Sequence, residues 1–228
     1  MNSVSGILKM HFRDKWSWLF IPWSILLFSF FVNLIIGYSV SSDKGIYTGG
    51  LSSIFIYIFV LGIITLSQSF PFALGLSVRR KDYFMGTTLF VILLSAVFSI
   101  LILMFSLTET KLIKGWGVGL HFFNFPFLNN FTIIEQLGIY FVIMMHMFFL
   151  GFVISCLYRR FGRNGLYVFF TALFLLSGIG SFMITYNQWW GNIFIWITQQ
   201  YPLIIICLAP TAVFYAVVSY LLLRRSTL

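Results

Sequence analysis

The sequence predicts an all-α, polytopic membrane protein with six transmembrane helices. Three observations carry that reading: long apolar runs, charge confined to the short gaps between them, and positive charge that alternates between rich and poor gaps. Of 228 residues, 60% are hydrophobic, 21% aromatic and only 8% charged. A water-soluble domain of this size could not cover so much apolar surface, so the solvent must be lipid. The net charge of +9 comes in small clusters at run ends, which mark topology and lipid-headgroup contacts rather than a nucleic-acid surface. The spans use up the chain and leave no room for a nucleotide-binding module.

Residues 1–15 carry Lys9, Arg13 and Lys15 among Val4, Ile7, Leu8 and Phe12. They form either an amphipathic segment on the inner membrane surface or a disordered lead. The first span covers about residues 16–38, too long and uncleavable for a signal peptide. A short outer turn with Asp43 and Lys44 leads to a second span over 51–76, which Pro71 should kink or end early. The basic, aromatic loop 77–84 must face the cytoplasm, and the third span follows over 84–107.

The outer segment 108–135 mixes Glu109, Lys111, Lys114, Trp116, Phe122, Phe123, Phe125 and Phe127 with glycines and Pro126, as expected of a loop lying on the headgroup layer. Spans four and five cover 136–158 and 166–186, separated by Arg159, Arg160 and Arg163. The stretch 187–202, with Trp189, Trp190 and Trp196, is too short to cross twice and reads as an interfacial or re-entrant hairpin. The last span, 203–223, stops at Arg224 and Arg225. Of the 14 Lys and Arg residues, about eleven then face inward and three outward, placing both termini in the cytoplasm. Cys156 and Cys207 fall at opposite depths and should be free thiols.

The chemistry available to the spans is sparse. All five acids, Asp14, Asp43, Asp82, Glu109 and Glu135, lie in or beside gaps, which argues against an intramembrane enzyme or an ion-coupled carrier. His146 sits among Met144, Met145 and Met147, but neighbouring helical positions diverge and cannot converge on one metal ion, so a hydrogen-bonded structural histidine is expected. Asn33 and Gln68 are the candidate pathway residues, because an amide facing lipid would be costly. The loop 77–84 offers either a rigid knob for a cytoplasmic partner or a plain topology signal.

The run Phe70, Pro71, Phe72, Ala73, Leu74, Gly75, Leu76, Ser77, Val78, Arg79, Arg80, Lys81, Asp82, Tyr83, Phe84, Met85, Gly86 resembles the end of span two, the coupling element and the start of span three in small bacterial permease subunits of the type-2 ATP-binding cassette exporter family. The layout of an amphipathic start, six spans and a membrane-dipping segment before the last span is similar too. The resemblance implies that Arg79, Arg80, Lys81, Asp82, Tyr83 and Phe84 dock into a cleft on a separate ATPase subunit. It implies two such ATPase subunits holding ATP and magnesium, a second permease copy or homologue, and a site in the bacterial plasma membrane. The chain itself would hold no cofactor and catalyse no reaction. An apolar, aromatic pathway suits a hydrophobic or amphipathic cargo such as a peptide, antimicrobial or lipid-like compound. The alternative is a stand-alone membrane binding or immunity protein that sequesters a toxin or drug without ATP.

Overall fold

A computed structural model describes residues 3–39 and 45–224, apart from the side chain of Tyr201. Asp43 and Lys44 of the first outer turn, Arg225, and the first two residues of the N-terminal segment lie outside the described residues. The elements are α1 (Ser3–Arg13), a π-turn (Trp16–Phe20) that feeds α2 (Ile21–Ser39), β1 (Ile46–Tyr47), α3 (Ser52–Gly75), α4 (Arg80–Leu107) with a terminal π-turn (Thr108–Ile113), β2 (Leu120–His121), α5 (Ile133–Tyr186), α6 (Trp190–Gln199) and α7 (Tyr201–Arg224). Among the described residues five helices are long and apolar enough to cross a membrane, and the chain is an all-α, multi-pass membrane protein.

Helix directions follow from side-chain pairs. Trp18 meets Phe90, and Trp23 meets Phe98 and Phe105, so α2 and α4 run in parallel. Gly62 packs on the Phe148 carbonyl, and Arg159 stands 4.5 Å over the Phe70 ring, so α3 and the first part of α5 run the opposite way. One end of the bundle therefore gathers α1, Arg80, Arg159 and Arg224, and is called here the basic end. The other gathers residues 108–131 and is the aromatic end.

The tightest contact joins α3 to α5. A methyl group on Gly62 would strike the backbone of Phe148, and one on Gly151 would strike the Phe59 carbonyl. Each helix thus offers a glycine to the other's backbone, the close approach by which apolar helices gain packing where lipid supplies no hydrophobic drive. Around this crossing Phe55, Ile58, Phe98, Phe148 and Phe152 fill the core.

The two expected spans 136–158 and 166–186 lie in two helical arms of the 54-residue stretch α5, which meet at a kink where Gly162 leaves helical geometry (φ 69°, ψ −171°). Unbroken, it would be about 81 Å long, far beyond a hydrocarbon core of about 30 Å. The arginines that marked a loop are good helix formers, and a single glycine in a conformation L-residues avoid is enough to redirect the chain. Its start is set by a reciprocal cap between Thr132 and Glu135.

Helix α7 runs parallel to the first arm of α5: His146 contacts Thr211, while Phe84 touches both Phe152 and Tyr220. Residues 163–200 therefore lead back from the basic end towards the aromatic end. This return segment is exposed almost throughout. Residues 187–202 do not form the expected hairpin; a turn at 187–189 leads into the single helix α6, and α7 begins directly after Gln200. The helix α3 also continues past Pro71 to Gly75 rather than ending there.

Candidate functional site

At the basic end a crevice of about 230 Å³ opens between the α1–α2 junction and α3. Its walls follow from two local choices in the sequence. Asp14 ends α1 and accepts hydrogen bonds from the backbone N–H and hydroxyl of Ser17 at 3.3 and 3.0 Å, starting the next helix. That turn aims Trp18 into the core against Phe90 at 4.8 Å, and the polar side of α3 (Thr65, Gln68 and Ser69) forms the opposite wall.

His11 forms part of the crevice and is only 3% exposed. Its Nε2 lies 3.2 Å from the Thr87 hydroxyl, and its ring stacks on Phe90 at 5.1 Å. Burial pushes its pKa down to about 4, with Asp14 pulling weakly in the other direction, so the ring is neutral at physiological pH. Ile7, on the same face of α1, fills the notch left by Gly86 of α4. The first helix is thus ordered and docked on the bundle, which resolves the choice left open for residues 1–15.

The basic run proposed for coupling lies beside this crevice. Ser77 takes a left-handed turn (φ 57°), and Arg80, Lys81, Asp82, Tyr83 and Phe84 already belong to the first turns of α4. Arg79 and Lys81 are exposed, whereas Arg80 donates from Nη1 to the Arg224 carbonyl at 3.2 Å. Tyr83 departs from an outward-facing knob: it is 0% exposed. Ser69 donates to the Thr65 carbonyl at 2.6 Å, so Tyr83 donates to Ser69 Oγ, also at 2.6 Å. The basic turn is therefore tied by hydrogen bond to a residue that lines the crevice. Phe84 turns inward as well, onto Phe152 and Tyr220.

The two candidate pathway amides are not brought together. Gln68 lines the crevice, and no described residue hydrogen-bonds it. Asn33 donates to the Ser29 carbonyl of its own helix at 2.8 Å and sits about 22 Å further along the bundle than Trp18. Hydrogen bonding within α2 is sufficient reason for that amide. His146 is hydrogen-bonded to Thr211 at 3.1 Å beside Tyr215, and the described residues contain no group of metal-ligating side chains. Cys156 and Cys207 are free thiols, one buried and one exposed.

Sequence reasoning passed over His11 and Asp14, treating them as part of a basic lead. An acid three residues before a serine, at the head of a long apolar run, was the available signal for a helix start. It also missed Glu109, which is 0% exposed. This carboxylate accepts from Trp116 Nε1 at 2.9 Å and from the backbone N–H groups of Phe122, Phe123 and Asn124 at 3.0 to 3.2 Å. Residues 108–131 consequently fold inward as a cap over the bundle instead of lying flat, with Phe122 and Phe123 buried and β2 paired in parallel with β1. No protein-family model, no curated protein and no solved structure matches the chain.

Proposed function

We propose that this chain is the membrane-spanning subunit of an ATP-driven exporter, working with separate cytoplasmic ATPase subunits and a second permease copy or homologue. The observation that carries the reading is the hydrogen bond from Tyr83 to Ser69. A basic turn with Arg79 and Lys81 free on its surface is connected through Tyr83 to the wall of a polar crevice, so a push on the turn reaches the crevice through one rigid link. ATP and magnesium belong to the partner subunit, and the permease chain performs no chemistry.

In this reading the basic end faces the cytoplasm, as the positive-inside rule requires. The return segment 163–186 is the fifth of six crossings, and both termini are cytoplasmic. Its length of apolar surface without a partner within the chain suits contact with lipid and with a second permease subunit. The membrane is the bacterial plasma membrane.

The test is purification of the full chain from its host in mild detergent, beside an Arg79→Ala/Lys81→Ala variant. These two exposed positions replace Tyr83 as targets, because removing a buried tyrosine would disturb packing as well as docking. Recovery of an ATP-binding cassette ATPase with the native chain and its loss with the variant are expected. A folded native chain that brings down no ATPase would overturn the exporter reading in favour of a stand-alone binding or immunity protein.

A further inference from the structure

The crevice has a chemical sign. Asp14 is its one charged wall residue, since His11 is neutral and no Lys or Arg lines it. No described cation pairs with Asp14. Both hydrogen bonds from Ser17 fall on Oδ1, leaving Oδ2 with no partner among the described residues. Across from it the Gln68 amide likewise has no described partner. Trp18 and Phe72 are among its lining residues, and aromatic rings attract organic cations.

Lys9 and Arg13 line only the wider recess outside, of about 580 Å³, which shares Met10, Asp14 and Phe72 with the crevice. A negative floor within a strongly basic protein surface is an anomaly that a helix cap alone does not require, because asparagine or serine would cap as well without charge. The volume of about 230 Å³ is below the roughly 300–1,000 Å³ of sites that enclose a whole drug-sized ligand. It fits the charged head of a larger molecule whose remainder lies outside.

We infer that this crevice binds an organic ammonium group, the charged end of a cationic amphipathic molecule, with Asp14 as its counter-charge, Gln68 as its hydrogen-bond partner, and Trp18 and Phe72 as its apolar walls. This deepens the exporter reading by naming the charge of the cargo. It rests on that reading only for the role of cargo, because binding itself needs no ATPase.

The experiment is calorimetric titration of the full chain in lipid nanodiscs with benzyltrimethylammonium, and with phenylmethanesulfonate as an anion of similar size and opposite charge. The basic surface of the protein favours the anion non-specifically, so selective binding of the cation identifies the crevice. The cation is expected to bind saturably, with affinity reduced about tenfold in Asp14→Asn and about threefold in Gln68→Ala. Asp14→Asn keeps a good cap and so leaves the fold in place. The partner variant Ser17→Ala removes the hydroxyl bond to Asp14 but keeps the backbone N–H bond and the charge, and is expected to bind within about twofold of the native chain. Equal affinity in Asp14→Asn, equal binding of the anion, absence of saturable cation binding, or a loss in Ser17→Ala as large as that in Asp14→Asn would each overturn the proposal. Failure to recover an ATPase would sink the exporter reading and leave these titrations unchanged.

Discussion

The two ends of the bundle handle an acid in opposite ways. At the aromatic end Glu109 is enclosed, and four N–H groups converge on its two oxygens. At the basic end Asp14 is exposed and capped by one serine, and the amide facing it across the crevice has no partner. A buried carboxylate with all its acceptors engaged organises backbone and resists movement. An open acid beside a free amide retains capacity for a ligand. The aromatic end is built as a fixed lid, and the basic end as the place where something can bind or shift.

The sharpest way to break this contrast is Glu109→Ala. It strips the acceptor from four donors, leaving the buried backbone N–H groups of Phe122, Phe123 and Asn124 unpaired. The expected loss is about 3–5 kcal/mol, read as a lower unfolding temperature in detergent and as new protease cleavage within residues 114–131. Asp14→Ala, at the exposed acid, should cost only about 1 kcal/mol, the usual value of a helix cap. Comparable losses from the two substitutions would remove the distinction between lid and open end.

Acidification should act on the basic end through His11. Docking of α1 lowers the His11 pKa from 6.5 to about 4, so the undocked helix binds the proton more tightly. Docking is then at full strength above about pH 6.5, weakens as the pH falls, and reaches its floor near pH 4, for a total of about 3 kcal/mol. An environment-sensitive dye on Gly6→Cys, where no neighbour lies within 4 Å, would report release of α1 in a background with the exposed Cys207 replaced by Ser. His11→Phe, which keeps an aromatic ring against Phe90, should flatten the pH response; a response that persists in that variant would clear His11 of the effect.

How much of this was legible in the sequence depends on whether the determining signal was local. Apolar runs, basic clusters and the basic turn at 77–84 could be placed because each is a contiguous pattern. The fate of Glu109 could not be, since its partners lie 7 to 15 residues away in a glycine-rich stretch and only folding brings their N–H groups together. The inward turn of Tyr83 was hidden for a related reason. In a run of cations it looked exposed, but the helix starting at Arg80 rotates it inward towards Ser69. The break between the two arms of α5 was legible from three arginines, but its sharpness was not, because it rests on the backbone of Gly162 alone.

The finest test concerns the link between the basic turn and the crevice. Tyr83→Phe removes one hydroxyl and keeps the buried ring against Phe70, which it meets at 4.9 Å. Ser69 still donates to the Thr65 carbonyl, so what disappears is the bond to Ser69 and the longer one from the Tyr83 hydroxyl to the Thr65 carbonyl at 3.4 Å, together worth about 1 kcal/mol in stability. If the bond serves packing alone, that small drop in unfolding temperature is the whole effect. If it carries movement from the turn to the crevice, ATPase recovery stays intact, because Arg79 and Lys81 are untouched, while transport of a cationic amphipath into vesicles falls by more than the stability change accounts for. Separation of those two readouts would assign Tyr83 to transmission rather than to docking.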